Sequence, residues 1–147
     1  MTTSFASAPA PEPRRLREIE DAFGTCLRLW VEPHHVGGVI AMERADLPDR
    51  PRVRLDVFGA EMLSAMILSA RMTNVGTSIP EETVDGHFPA RFDLIQHPTP
   101  AVRLSCGVGA QRASLDLPAL LWDRVFVELT LAATVARELS RRPWTVH

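Results

Sequence analysis

Apolar and polar residues alternate along several segments of the chain, which is the pattern of a β-strand with one buried face. The clearest segment covers residues 52–57, where the apolar positions are Val53, Leu55 and Val57 and the polar ones are Arg52, Arg54 and Asp56. The same alternation predicts five more strands, over residues 25–32, 36–42, 91–94, 102–106 and 112–117.

Three other segments repeat their apolar residues every three or four positions, as amphipathic helices do. The first is a short helix over residues 14–23, and the last runs to about residue 142 with a broad apolar stripe. The middle helix, residues 59–72, carries only Glu61 and Arg71 as charges. We therefore expect it to be covered on several sides, by the sheet or by a second subunit.

Together these elements predict an α+β fold with the order α-βββ-α-βββ-α, in which an antiparallel sheet is packed on one face by two or three helices. Residues 1–13 contain three prolines and no apolar period, so they predict a flexible N-terminal tail. Residues 14–147 are then a single α+β domain. Each strand triplet ends in a Leu-Asp-apolar segment, at residues 55–57 and 115–117, and either an internal duplication or chance explains this match.

The predicted order of helices and strands over residues 14–142 resembles that of type III secretion chaperones. These are small dimeric proteins that bind an extended segment of a client. The resemblance involves no sequence motif and so assigns no residue a role.

The charge of the chain argues against some partners. Its net charge is −2 and its pI about 6.2, so the whole molecule has no basic field that would attract nucleic acid. All 16 basic residues other than histidine are arginine, which indicates a high-GC bacterial source.

The distribution of cysteine and apolar residues bears on the cellular compartment. The two cysteines, Cys26 and Cys106, are 80 positions apart and predict reduced, buried thiols. The sequence shows neither a secretory signal nor an apolar run long enough for a membrane span, so we expect a cytoplasmic protein.

Known catalytic and cofactor-binding patterns are not found, including the nucleotide-binding glycine motifs, the metalloprotease motif and zinc-ribbon spacing. The sequence therefore predicts no catalytic residue, cofactor or metal. One segment, Gly86-His87-Phe88-Pro89, resembles the start of the catalytic segment of hot-dog-fold hydroxyacyl dehydratases. That resemblance implies a catalytic role for His87 alone, and Ala90 replaces the glycine that follows in the family.

The outward face of the predicted sheet is a candidate binding surface. Its cationic and aromatic members are Arg28, Trp30, Arg52, Arg54, Arg91, Arg103 and Arg112. Asp56, Asp93 and Asp116 interrupt it, so one interpretation is a solvated face of cross-strand ion pairs. Another is a surface for a protein partner or a second copy of the chain. Single-stranded nucleic acid is disfavoured because the face presents one aromatic side chain.

The long connection over residues 73–89 is the second candidate site. It contains Glu81, Glu82, Asp85 and His87, and His97 follows ten residues later. Carboxylates and imidazoles together supply acid-base or metal chemistry, but they also occur on solvated loops.

These observations favour a non-enzymatic protein-binding adaptor, a chaperone-like protein or a small accessory subunit, homodimeric through the apolar middle helix. The alternative is a small enzyme or a ligand- or metal-binding protein with its site around the loop of residues 73–89.

Overall fold

A computed structural model describes residues 13–35, 37–73 and 77–141 of the chain. Its elements run in the order ββββα-ββββα, so the two halves of the described chain repeat one arrangement. The predicted tail lies outside the described residues except for Pro13, which is exposed.

The first half is a four-stranded antiparallel meander followed by a helix. Its elements are β1 (Arg14–Glu20), β2 (Cys26–His34), β3 (Gly37–Arg44), β4 (Arg52–Leu55) and α1 (Val57–Met72). The register places Leu29, Met42 and Val53 in one row, and all three are buried. This apolar row lies on the inner face of the first sheet, β1–β4.

The second half repeats the meander as a separate sheet. Its elements are β5 (Glu82–Val84), β6 (Ala90–Ile95), β7 (Ala101–Cys106), β8 (Ala113–Pro118) and α2 (Trp122–Arg141). Phe92, Leu104 and Leu115 form a buried row across the second sheet, β5–β8.

The two helices lie against the inner faces and against each other, so both halves contribute to one hydrophobic core. Ion pairs join Arg71 to Asp123 and Glu61 to Arg137. Because these pairs link opposite ends of the two helices, α1 and α2 are antiparallel. Asp56 caps α1 by accepting the backbone N–H of Gly59 at 2.7 Å.

The α-βββ-α-βββ-α order and the single sheet are wrong: the described residues begin with strands, contain two helices and form two sheets. The supposed first helix is β1. Of its apolar stripe only Ile19 is buried, while Leu16 and Phe23 are exposed. A ten-residue helix with no apolar face to bury is unstable, whereas β1 pairs with β2 along its length.

The resemblance to type III secretion chaperones rested on the predicted order of elements over residues 14–142, and the observed order differs from it. The Leu-Asp segments are also not equivalent in the two halves. Asp56 caps a helix, whereas Asp116 lies within β8 and pairs with Arg103. The two halves share their order of elements, but the aspartate of the Leu-Asp segment has a different role in each half.

The helix α2 crosses the first sheet at Gly38, where it comes unusually close to the strand backbone. A Cβ atom at Gly38 would lie 2.6 Å from the carbonyl oxygen and 2.7 Å from the Cβ of Ala136. The Gly38 N–H also donates to Ser140 Oγ at 3.3 Å. The absence of a side chain at Gly38 therefore allows the backbones of α2 and β3 to approach closely.

We expect Gly38→Ala to lower the free energy of unfolding by about 1–3 kcal/mol, since α2 must move away from β3 to admit the methyl group. Gly109→Ala is the matched control: its φ is +56° and no atom would contact its Cβ, so only backbone strain of about 1 kcal/mol is expected. Denaturant titration measures both, and an equal loss would contradict the proposed contact.

Arg44 joins the two sheets at the end of β3. Its side chain is nearly buried, makes a bidentate ion pair with Asp46 at 2.9 and 2.8 Å, and donates to the Asp116 carbonyl oxygen at 2.8 Å. The Asp46 carboxylate also accepts the Cys26 N–H at 3.1 Å. The hydrogen bonds from Arg44, helped by that from Cys26, lower the pKa of Asp46 from 3.8 to about 2 against the effect of burial.

This lowered pKa makes part of the stability depend on pH. The contribution of Asp46 is complete above its ordinary pKa of 3.8 and is lost as the pH falls through about 2. We therefore expect Asp46→Asn to be less stable than the wild type at neutral pH and to lose less stability between about pH 4 and pH 2. Asp49→Asn, at an exposed position, is the control. Parallel curves of stability against pH for Asp46→Asn and the wild type would contradict this role.

Candidate functional site

The outer face of the first sheet carries a row of alternating charges. Adjacent strands place Glu18 opposite Arg28, Arg28 opposite Glu43, and Glu43 opposite Arg52. Arg28 Nε lies 2.7 Å from Glu18 Oε2, and Arg52 Nη2 lies 2.8 Å from Glu43 Oε2. Cross-strand pairing thus balances these arginines locally.

Trp30 lies beside this row and is covered although it faces outward. Its indole is only 6% exposed, with the Arg52 guanidinium 5.1 Å from the ring centroid. Its Nε1–H donates to Glu32 Oε2 at 2.8 Å, and Arg54 Nε donates to Glu32 Oε1 at 2.9 Å. Burial would raise the pKa of Glu32, but these two hydrogen bonds outweigh burial and lower it.

Binding of a partner at the predicted sheet face stays a prediction, and the structure gives only the positions of its residues. The structure brings Arg28, Trp30, Arg52 and Arg54 together, but their charges are paired and the indole is covered. Arg103 lies on the second sheet, where its Nε and Nη2 donate to Asp116 at 2.8 and 3.1 Å. The cross-strand ion-pair interpretation describes this face best.

Next to this face, the β2–β3 turn meets the β5–β6 turn in a group of rings that we call the histidine cluster: His34, His35, His87 and Phe88. The ring centroids are separated by 4.1 Å for His34–His35, 5.5 Å for His35–His87 and 6.5 Å for His34–His87. Phe88 lies 5.2 Å from His34. Burial lowers the pKa of His34, and the nearby His35, His87 and Arg54 lower it further.

The acidic residues of the 73–89 loop do not form a common site with His87. Glu81 Oε2 lies 3.5 Å from Arg91 Nη1. Glu82 lies in β5 and lines a small pocket together with Met62 and Met66, and Asp85 is exposed. Within residues 13–35, 37–73 and 77–141, no group of three or more possible ligands is arranged to hold a metal ion. The predicted carboxylate-histidine set is therefore dispersed.

A cleft of about 360 Å³ separates β4 from the β5–β6 turn and the β7–β8 connection. Its lining includes Arg52, Arg54, His87, Phe88, Cys106 and Gln111. Burial raises the pKa of the Cys106 thiol to about 11 despite a hydrogen bond from the Arg54 backbone. Because the thiolate is the nucleophilic form, Cys106 is an inert part of the wall.

A second cavity, of about 450 Å³, lies where the end of α1, the β6–β7 turn and the start of α2 meet. Ala70, Leu94 and Trp122 form much of its apolar lining, and the Arg71–Asp123 ion pair lies at its edge. The Trp122 N–H donates to the Leu117 carbonyl oxygen at 2.8 Å, which fixes the indole in the wall. We call this the helix-end cavity.

After Pro89 the chain enters β6 at Ala90, whereas the dehydratase segment continues into a helix. The similarity to the hydroxyacyl dehydratases is therefore limited to the four residues 86–89. No model of a known protein family matches the chain, and no curated protein matches it as a relative. No helix in the part of the chain that the structure describes is both long and apolar enough to cross a membrane.

The histidine cluster is the feature that sequence analysis missed. Sequence analysis does not connect His34 and His35 with His87, which it considers with its own loop, with His97 and in the dehydratase-like segment. The cluster forms because turns from two different sheets meet, a contact between residues more than 50 positions apart. No local spacing signals such a contact.

Proposed function

We propose that the chain is a non-enzymatic protein-binding subunit, an adaptor or chaperone-like protein, that forms a homodimer through the outward side of its two helices. The observation that carries this proposal is an exposed apolar surface on α1 and α2. We call it the helix face, and it consists of Phe58, Ala65, Leu68, Met72, Val127 and Leu131.

The members of the helix face lie on one side of a helix pair. The Glu61–Arg137 and Arg71–Asp123 ion pairs bracket Leu68 on α1, and they bracket Val127 and Leu131 on α2. Phe58 and Met72 extend the surface toward the two ends of α1 and are 59% and 78% exposed. Large exposed apolar patches on small proteins mark interaction surfaces.

The pattern on α1 fits a second copy of the same helix. Phe58, Ala65 and Met72 recur every seven residues and so lie along one side of α1. A two-fold axis at Ala65 would place Phe58 of one copy against Met72 of the other, a favourable aromatic-thioether contact. The small side chains of Ala65 and Ser69 would let the two helices approach closely.

Light scattering tests this proposal directly. We expect the wild type at micromolar concentration to have a mass near twice 16.3 kDa, and we expect Leu68→Glu combined with Leu131→Glu to be a folded monomer. Both positions are exposed, so circular dichroism should be unchanged. Leu16→Glu, at an exposed apolar position on β1, is the matched control and should remain dimeric. A monomeric wild type would overturn the dimer.

Cross-linking tests the register. Positions 58 and 72 lie about 21 Å apart on one helix, too far for a disulfide within a protomer. If α1 pairs with its copy about Ala65, Phe58→Cys combined with Met72→Cys should give a covalent dimer on oxidation. Either cysteine alone should give much less. Equal yields from the single and double variants would contradict the register.

The helix-end cavity supports a second candidate function, the binding of a small ligand near the start of the 73–89 loop. Its volume lies within the range of small-molecule sites, and it combines an apolar wall with charged groups at its edge.

This alternative predicts that Ala119→Trp, which adds an indole to the cavity lining, abolishes most of the fluorescence of bound anilinonaphthalene sulfonate. Leu131→Glu, on the helix face, should leave that fluorescence nearly unchanged. The opposite result would place the dye on the helix face and argue against a ligand in the cavity.

A further inference from the structure

A small pocket lies between α1 and the segment that leads into β5, and we call it the methionine pocket. Its volume is about 150 Å³. Its apolar walls are Met62 and Met66 of α1 and, before β5, Ile79 and Pro80. A cavity of this volume holds a group about the size of a benzene ring, and methionine side chains adapt their shape to such a group. The pocket therefore has room for one side chain.

Glu82 places a carboxylate at this pocket. It lies opposite the buried Phe92 in the β5–β6 pair, so its side chain points to the inner side of the second sheet. Glu82 is half-buried and lines the pocket together with the two methionines. The acid of α1, Glu61, pairs with Arg137. Within the described part of the chain, the Glu82 side chain has neither an ion pair nor a hydrogen bond.

The two carboxylates on either side of β5 differ from Glu82 in this respect. Glu81 Oε2 lies 3.5 Å from Arg91 Nη1. Asp85 lines a pocket on the outer side of the sheet together with Arg91 and Arg112. Among these three acids, only Glu82 neither pairs with an arginine of the described residues nor shares a pocket with one.

The strand β5 lies at the edge of the second sheet. Its three residues pair with β6, and no strand of the described residues pairs with its other side. Such an edge presents backbone N–H and C=O groups to which an extended peptide can add as a further strand. Side chains alternate along a strand, so every second residue of an added peptide would point to the inner side of the sheet, where the methionine pocket lies.

We infer that the free edge of β5 binds an extended segment of a partner protein, which places an arginine or lysine side chain in the methionine pocket. This inference rests on the proposed function in that it takes the ligand to be a protein. The methylene stem of the cation would pack on Met62 and Met66 while its charge pairs with Glu82. A wholly apolar side chain would bury the Glu82 carboxylate further without a partner, which is unfavourable.

Fluorescence anisotropy with two labelled peptides tests the charge at this pocket. One peptide has a single arginine among valine, threonine and serine residues, and the other has citrulline, which keeps the shape of arginine without its charge. We expect citrulline to raise the dissociation constant about fivefold for the wild type. Glu82→Gln should bind both peptides equally. Glu81→Gln changes the neighbouring carboxylate, which pairs with Arg91, and should discriminate between the peptides as the wild type does.

A third peptide tests the addition of a strand. N-methylation of its backbone on both sides of the arginine removes N–H donors, and we expect it to weaken binding about tenfold. Equal binding of the methylated and unmethylated peptides would overturn the inference. So would an equal effect of citrulline on Glu82→Gln and on the wild type.

Light scattering separates this inference from the proposed dimer. The variant with Leu68→Glu and Leu131→Glu retains β5 and the methionine pocket, so it should bind the arginine peptide as the wild type does. A monomeric wild type that binds this peptide would reject the dimer alone. A dimeric wild type that does not bind it would reject the β5 site alone.

Discussion

The fold depends on one constraint: two sheets, each apolar on one face, share a single pair of helices. The helix α2 packs mainly on the first sheet, α1 packs on the second sheet and on part of the first, and the two helices pack on each other to complete one core. The close approach of α2 to β3 is possible because Gly38 has no side chain. The same arrangement leaves the opposite side of both helices without a covering element among the described residues, and the exposed side chains of the helix face lie on this side.

The local patterns predicted much of the secondary structure, because period-two alternation reports burial on one face of a strand. Val53 and Leu55 are buried and Arg52 and Arg54 exposed, as the alternation of that segment predicts. The pattern does not report where a sheet ends, so it could not distinguish one six-stranded sheet from two. It also missed β5, whose three residues are too few for an alternation, and it placed Val57 in a strand although this residue begins α1.

The helix predicted over residues 14–23 shows that a helical spacing of apolar residues predicts the wrong element when those residues are not buried together. Leu16, Ile19 and Phe23 have helical spacing, but the turn that follows contains a stronger local signal. The Asp21 carboxylate accepts the N–H groups of Phe23 and Thr25, which reverses the chain into β2. Hydrogen bonding to β2 then decides the conformation of residues 14–20.

Sequence analysis predicted the candidate surface only in part. Alternation placed Arg28, Arg52 and Arg54 on one face, but their partners are glutamates whose identity depends on the register. Those of Arg28 and Arg52 lie on adjacent strands, whereas that of Arg54 lies on β2, on the far side of β3. The histidine cluster could not be predicted because it depends on how the second sheet is placed against the first. Contacts between separate sheets are set by the packing of the whole core rather than by any short segment.

The separation of charged and apolar surfaces determines what an assembly would expose. The outer face of the first sheet carries arginine–glutamate ion pairs, and the helices that present apolar side chains lie against the inner face of that sheet. In a dimer joined through the helices, the ion-paired outer faces of the two copies would point away from each other. A client with two segments that bind this outer face would then engage both copies at once, and its apparent affinity would depend on the length of chain that connects the segments.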